Sequence, residues 1–188
     1  MGVVIKKDWK KYILTMEHKE CIFIDPPWSY VDMIDRPGYV SDNQLDYEKW
    51  DNREGLDFLF KNIKCDYLFI WTTNNMLEDV FKSSHYSFKY KSIITWVKRT
   101  KNNIIHYGLG FYFRNSTEQV LLFVNKGVKP LRWKDRNIFD GVKGDRTKKP
   151  KDWEKEILSR FSSSAYIFSG PFIEELIGLN IELVDICH

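Results

Sequence analysis

The stretch Cys21-Ile22-Phe23-Ile24-Asp25-Pro26-Pro27-Trp28 constrains this chain more than any other. Cys21 to Ile24 read as a buried strand: a short apolar run, polar on one side and closed by prolines on the other. Pro26 and Pro27 have no N–H to give to a ladder, and their fixed φ stiffens the chain that leaves the strand. Asp25 is therefore expected at the carboxyl end of a strand, the place where open α/β sheets bind their ligands.

Asp-Pro-Pro-Trp at such a place suits the exocyclic amino group of an adenine. Asp25 can accept one of its hydrogens and the carbonyl of Pro26 the other, which aims the nitrogen lone pair at an electrophile. Trp28 offers a flat face for the base. A base held this way must be out of its stack, flipped from a duplex or taken from a single strand. The bland alternative is a turn after a core strand, with Trp28 as a core aromatic.

At 188 residues, 43% of them hydrophobic, the chain suits a single domain spanning 1–188 with a sizeable core. No run approaches the roughly 18 apolar residues of a membrane span. Residues 1–11 are basic and then aromatic, without an apolar signal core. Cys21, Cys65 and Cys187 have neither metal-like nor paired spacing, which fits a reducing compartment: the cytoplasm, or the nucleus in a eukaryote. Cys21 and Cys65 are expected as core thiols. His18, His85, His106 and His188 show no ligand spacing, so no metal site is expected. The net charge of +3 is unevenly spread: residues 126–151 hold ten Lys or Arg against three Asp. Such a segment is a footprint for a nucleic-acid backbone, or a solvated charged loop.

Strands are expected at 21–24, 66–72, 86–98, 118–125, 165–168 and 180–186. Helices are expected at 47–62, from Thr73 or Asn74 to about Ser83, from Pro150 to about Phe161, and at 172–177. Tyr12 to Leu14 leave strand and helix both open. Ser29 to Asp46 carries turn chemistry over too long a stretch for an ordinary connection, and is read as a mobile loop that helps grip the target base. Strand, helix and strand over 66–98 make a βαβ unit and argue for a parallel sheet. Gly108-Leu109-Gly110 lacks the third glycine and the flanking elements of a dinucleotide fingerprint. Trp71 and Trp96, on apolar strands, are expected in the core.

In this order the segments resemble the MT-A70 family of N6-adenine methyltransferases, the group typified by the catalytic subunit of the eukaryotic mRNA N6-adenosine methyltransferase, with bacterial and phage DNA-modifying relatives. The anchors run from about Lys19 to Phe172. They are Asp25-Pro26-Pro27-Trp28, Leu68-Phe69-Ile70-Trp71-Thr72-Thr73 and Trp96-Val97-Lys98. Then come Gly108-Leu109-Gly110-Phe111-Tyr112-Phe113-Arg114-Asn115-Ser116-Thr117-Glu118, Asn125-Lys126-Gly127 and Lys149-Pro150. The resemblance implies a Rossmann-like class I methyltransferase sheet, mostly parallel, with helices on both faces. Its strand order is permuted, with the catalytic strand first and the S-adenosylmethionine-binding strand near the end.

The resemblance also implies that Asp25, Pro26, Pro27 and Trp28 form the catalytic motif and that Asp25 faces the methyl donor. It implies that Lys149 contacts cofactor or substrate. At the cofactor strand the chain departs from the family pattern of Glu-Leu-Phe, a small residue and Arg: the matching run is Tyr166-Ile167-Phe168-Ser169-Gly170, and the usual Gly-Asn-Glu near the C-terminus is missing. The Tyr166 hydroxyl can bond a ribose, Phe168 and Gly170 line the same turn, and Asp185 stands in for part of the missing acid. Weakened or rearranged cofactor binding follows. Tyr30, Arg146 and Lys148 are the further substrate candidates, from the two loops beside the site. Glu118 is read as a residue that caps or pairs structurally, not as a catalytic one.

The expected activity is S-adenosylmethionine-dependent methyl transfer to adenine N6 in nucleic acid, with DNA slightly ahead of RNA. Target recognition falls to the two loops, to a partner subunit or to a second copy. The rival is a catalytically weak or inactive nucleic-acid-binding subunit of a methyltransferase complex. Transfer to another amino nitrogen, such as cytosine N4, is a third reading.

Overall fold

The computed structural model describes residues 3–6, 8–29, 51–84, 86–108, 112–144, 149–168 and 181–185. The elements in chain order are β1 (Val3–Lys6), α1 (Trp9–Thr15), β2 (Lys19–Ile24), α2 (Asn52–Asn62) and β3 (Cys65–Thr72). A single 3-10 turn then leads into α3 (Leu77–Ser83), followed by β4 (Phe88–Arg99), β5 (Thr117–Asn125) and β6 (Ile138–Val142). α4 (Lys151–Leu158), β7 (Ser164–Ile167) and β8 (Ile181–Asp185) complete them.

The eight strands form one sheet in the order β1-β8-β7-β2-β3-β5-β4-β6. β5 is antiparallel to both its neighbours, and every other pair is parallel. The sheet is thus mostly parallel, and β3 and β4 point the same way with β5 inserted between them.

Side-chain alternation along β2 builds a core on each face. Ile22 and Ile24 pack toward Tyr12 and Ile13 of α1, Leu56, Leu59 and Phe60 of α2, and Val80 of α3. Cys21 and Phe23 point the other way, among Trp71, Trp96, Tyr166 and the Ile157 and Leu158 of α4. Phe23 and Phe69 stack with centroids 4.6 Å apart, and Trp153 of α4 meets Phe23 edge-on at 5.9 Å. Fully burying a side chain of this size is worth about 1.5–3 kcal/mol. The expected core thiols Cys21 and Cys65 are buried, as are Trp71 and Trp96.

Two elements depart from the sequence expectation, and a third settles a reading that it left open. The basic stretch read as loop contains β6, whose Asp140 and Gly141 break the usual strand composition and whose place at the sheet edge leaves alternate residues exposed. β1, three β-branched residues and Lys6, pairs with β8 at the opposite edge. Tyr12 to Leu14 resolve as α1, whose start Asp8 caps by accepting from the Lys10 and Lys11 N–H groups. The helix expected at 47–62 is described from Asn52, and Asp51 caps it by accepting from the Glu54 N–H. The expected loop at 30–46 and helix at 172–177 lie outside the described residues. None of the described helices is long and apolar enough to cross a membrane.

Candidate active site

β2 is followed by β3 on one side, and β7 by β8 on the other. Chain progression therefore diverges between β7 and β2, and open α/β sheets bind ligands outside the carboxyl ends of the strands at such a switch point. Asp25 is the first residue past β2 there, and its N–H donates to the Ile167 carbonyl at the end of β7 (3.2 Å). Across the gap Phe168 takes a φ of 62°, uncommon for a bulky side chain. Its N–H donates to the Val184 carbonyl (2.9 Å), and its ring packs edge-on against Trp9 of α1, 5.6 Å between centroids. β7 is turned sharply at that point, beside Asp25.

Asp25 shares the parity of Phe23, so its side chain falls on the α4 face. There it meets Lys149, whose Nζ is 3.0 Å from Asp25 Oδ2 and 3.3 Å from Glu118 Oε2. Glu118 Oε1 in turn accepts from Lys98 Nζ. Two carboxylates and two ammonium groups alternate, so the cluster is neutral overall. Lys149 also sits over the Trp71 ring, 5.3 Å from its centroid. It is brought there by the entry to α4: Pro150 packs against β6 at Gly141, where a Cβ would lie 3.1 Å from Pro150 Cβ and 2.8 Å from Trp96 Nε1. Asp25 is the open member, its side chain 22% exposed against 16% for Glu118 and 11% for Lys149.

Burial pushes the Asp25 carboxyl up, Lys149 pulls it back, and the Glu118 charge adds to the rise; the net direction is above the ordinary value. Burial acts on Glu118 in the same sense, but Lys149 and Lys98 together outweigh it and hold that carboxyl below its usual range. Lys149 loses hydration, yet Asp25 and Glu118 hold its ammonium well above the usual lysine range.

The Pro26 carbonyl accepts from the Trp28 N–H across a tight three-residue turn (2.8 Å), which leaves it one lone pair for a second donor. Trp28 itself is 5% exposed, packed in the α1–α3 core, and its Nε1 donates to the Trp71 carbonyl (3.2 Å). The expected open stacking face is therefore corrected: Trp28 occupies the core position that was the bland alternative. Asn52, at the start of α2, clamps the exit of the motif, its Oδ1 accepting from the Ser29 N–H (2.9 Å) and its Nδ2 donating to the Ser29 carbonyl (2.8 Å).

Tyr166 is also displaced from its expected role. It pairs with Phe23 rather than with Asp25, one pleat deeper. It is fully buried, and its hydroxyl donates to Glu154 Oε1 (2.7 Å). The same oxygen accepts from Trp71 Nε1 (2.7 Å), and Lys151 neutralises Glu154 from 2.9 Å. Tyr166 is the penultimate residue of β7, and its hydroxyl is taken up by Glu154 inside the α4 face, which is why it does not present that hydroxyl to a ribose here. Asp185 ends β8, with its side chain outside the described residues, and Tyr30, Arg146, Lys148 and Gly170 also lie outside them. Lys98 and Asn52 were missed as site residues; Glu118 is the pairing residue it was read as, and what the sequence did not show is that its partner Lys149 links it to Asp25. The signal for Glu118 was its place at the start of a strand antiparallel to β3, which returns it to the end where Asp25 lies.

The sequence model of the MT-A70 family matches residues 19–165. In structure the chain is similar to crystalline M1.HpyAVI over 99% of this chain and 91% of that one, with a TM-score of 0.61 and 15% identity. It is also similar to the M1.HpyAVI-SAM complex, over 100% and 95%, with a TM-score of 0.64 and 15% identity. Comparison with curated protein sequences returned no match. The architecture is that of a class I methyltransferase, with the strand order permuted as the sequence resemblance implied. The chain belongs to the MT-A70 family.

Proposed function

We propose that the protein transfers a methyl group from S-adenosylmethionine to the N6 amino group of adenine in nucleic acid, with DNA ahead of RNA. The observation that carries this is Asp25: a partly open carboxylate at the sheet's switch point, held by Lys149 and followed by a backbone carbonyl with a free lone pair. The exocyclic amino group has two hydrogens, and Asp25 and the Pro26 carbonyl are two acceptors fixed by the same turn.

The described end of β7, with Asp25 facing it, fits S-adenosylmethionine at the switch point, where its holding residues would be Phe168, Gly170, Asp185 and Lys149. When bound, the cofactor supplies an electrophilic methyl group. The chain's own work is positioning and electrostatics. Asp25 orients the amino nitrogen, and its hydrogen bond strengthens as positive charge develops there. Lys149 keeps Asp25 ionised. The methylated nitrogen then loses a proton readily, so Asp25 need not be a strong base.

A second reading is favoured by one observation. Tyr166 is committed to Glu154, so β7 offers no ribose-binding side chain from that position. In that reading the chain is a weak or inactive nucleic-acid-binding subunit. Isothermal titration with S-adenosylmethionine separates the two: saturable binding supports the enzyme, and no binding by a protein that still binds oligonucleotide supports the subunit.

A further inference from the structure

Ten large hydrophobic side chains are exposed among the described residues, and five of them fall between β4 and β5: Ile104, Ile105, Tyr107, Tyr112 and Phe113. Tyr112 is 96% exposed and Phe113 89%. A cluster this dense in one connection is not the ordinary scatter of surface apolar residues.

Its placement is informative. The connection leaves β4 at Arg99 and enters β5 at Thr117, at the end of the sheet that carries Asp25. Its two roots are tied to Lys98: the His106 N–H donates to the Lys98 carbonyl (2.8 Å), and the Lys98 N–H donates to the Ser116 carbonyl (2.9 Å). The Lys98 side chain begins the charged chain through Glu118 and Lys149 to Asp25. Higher up, the two limbs touch. A Cβ on Gly108 would lie 2.2 Å from the Asn115 carbonyl oxygen, so only glycine permits this approach. The Arg114 guanidinium bridges the limbs by stacking on Tyr107, 4.8 Å from its centroid.

The charge is one-sided. From Arg99 to Thr117 there are three cations, Arg99, Lys101 and Arg114, and no Asp or Glu. Arg99 is engaged by Asp140, which leaves Lys101 and Arg114 for an anionic partner. The long basic segment cannot take this place with its first half. It leaves β5 at Asn125, and Lys129 lies against Tyr67 near the start of β3, at the opposite end of the sheet.

We propose that Tyr112 and Phe113, with Arg114 and Lys101, form a stacking platform for the unpaired nucleotides that flank the target base. The aromatic rings offer faces that any base can cover, and the two cations meet the backbone. The substrate would then be a single strand or a locally opened duplex. This deepens the methyl-transfer reading and takes from it the kind of substrate.

The test uses the full chain, without cofactor, and a fluorescein-labelled single-stranded oligodeoxynucleotide carrying one adenine among thymines. Anisotropy measures its binding to the wild type and to the double variant Tyr112→Ala/Phe113→Ala. Both side chains are nearly fully exposed, so the variant should keep its thermal melting point. Loss of about tenfold or more in affinity is expected. Replacing the bases beside the adenine with abasic sites should weaken the wild type comparably and cost the variant nothing further. Unchanged affinity in the variant overturns the platform. So does a variant that binds equally well but sediments as a smaller species than the wild type, since the patch is then a protein interface. A parallel incubation with S-adenosylmethionine reads methylation: oligonucleotide binding with the expected pattern but no methylation by the wild type would reject methyl transfer and leave the platform standing. Methylation with unchanged variant binding would reject the platform alone.

Discussion

Asp25 and Lys149 set the protonation behaviour of the site. Asp25 must be ionised to accept from an amino group, and burial has raised its pKa despite Lys149. Activity should therefore decline on the acid side at a higher pH than an ordinary aspartate would give. Lys149→Met removes the group that lowers this pKa, so the acid limb of kcat/KM should move up in pH and the plateau should fall. A limb that stays in place would mean that Asp25 does not govern the rate. Glu118 has the opposite sign. Its folded pKa lies below its unfolded value, so its contribution to stability is complete above the usual glutamate range and is lost as pH falls through the folded value. Glu118→Gln should therefore flatten the acid side of a denaturation-against-pH curve. At this scale the sequence was only partly legible. Asp25 announced itself because two prolines end a strand beside it. Glu118 did not, because what makes it part of the site is a contact with Lys149, 31 positions away in sequence. Trp28 was misjudged because an aromatic after two prolines reads the same whether its ring faces solvent or core.

Among the elements, α4 is tied to the sheet by charge as well as by apolar packing. Glu154 is fully buried and serves Trp71 of β3, Tyr166 of β7 and Lys151 of its own first turn. Breaking such a pairing leaves an uncompensated buried cation and two orphaned donors. Glu154→Ala should lower stability by about 3–5 kcal/mol in urea denaturation; a loss under about 1 kcal/mol would show that water replaces the carboxylate. Asn52 offers a milder test. Asn52→Ala removes both bonds that pin Ser29 and should cost about 1–2 kcal/mol, while turnover falls because the exit of the Pro-Pro turn is released. Unaltered turnover with the expected melting shift would make Asn52 purely structural. The strands with continuous apolar centres, β2, β3, β5 and β7, were legible from their runs. β6 was not, because an edge strand needs only one partner and its sequence holds an Asp and a Gly among basic neighbours.

For the molecule as a whole, the decisive feature is the divergence of the chain on either side of β7 and β2. It creates the crevice, and the permuted order places the strand that leads into Asp25 near the start of the chain and its neighbour β7 near the end. Periodicity could not reveal this, since local patterns specify strands and not their spatial order. The order of motifs could, because the family resemblance carries topology with it. The insertion of antiparallel β5 between β3 and β4 has a functional consequence. It brings Glu118 and the exposed aromatic connection to the end of the sheet where Asp25 lies. The most direct test of the central claim is to incubate the purified protein with S-adenosylmethionine and either DNA or RNA, digest each pool, and quantify N6-methyladenine by mass spectrometry, with Asp25→Ala as the control. The expected result is N6-methyladenine in one pool, DNA before RNA, reduced at least about a hundredfold by the substitution while the folded melting transition persists. No N6-methyladenine in either pool, or equal amounts from wild type and Asp25→Ala, would contradict it.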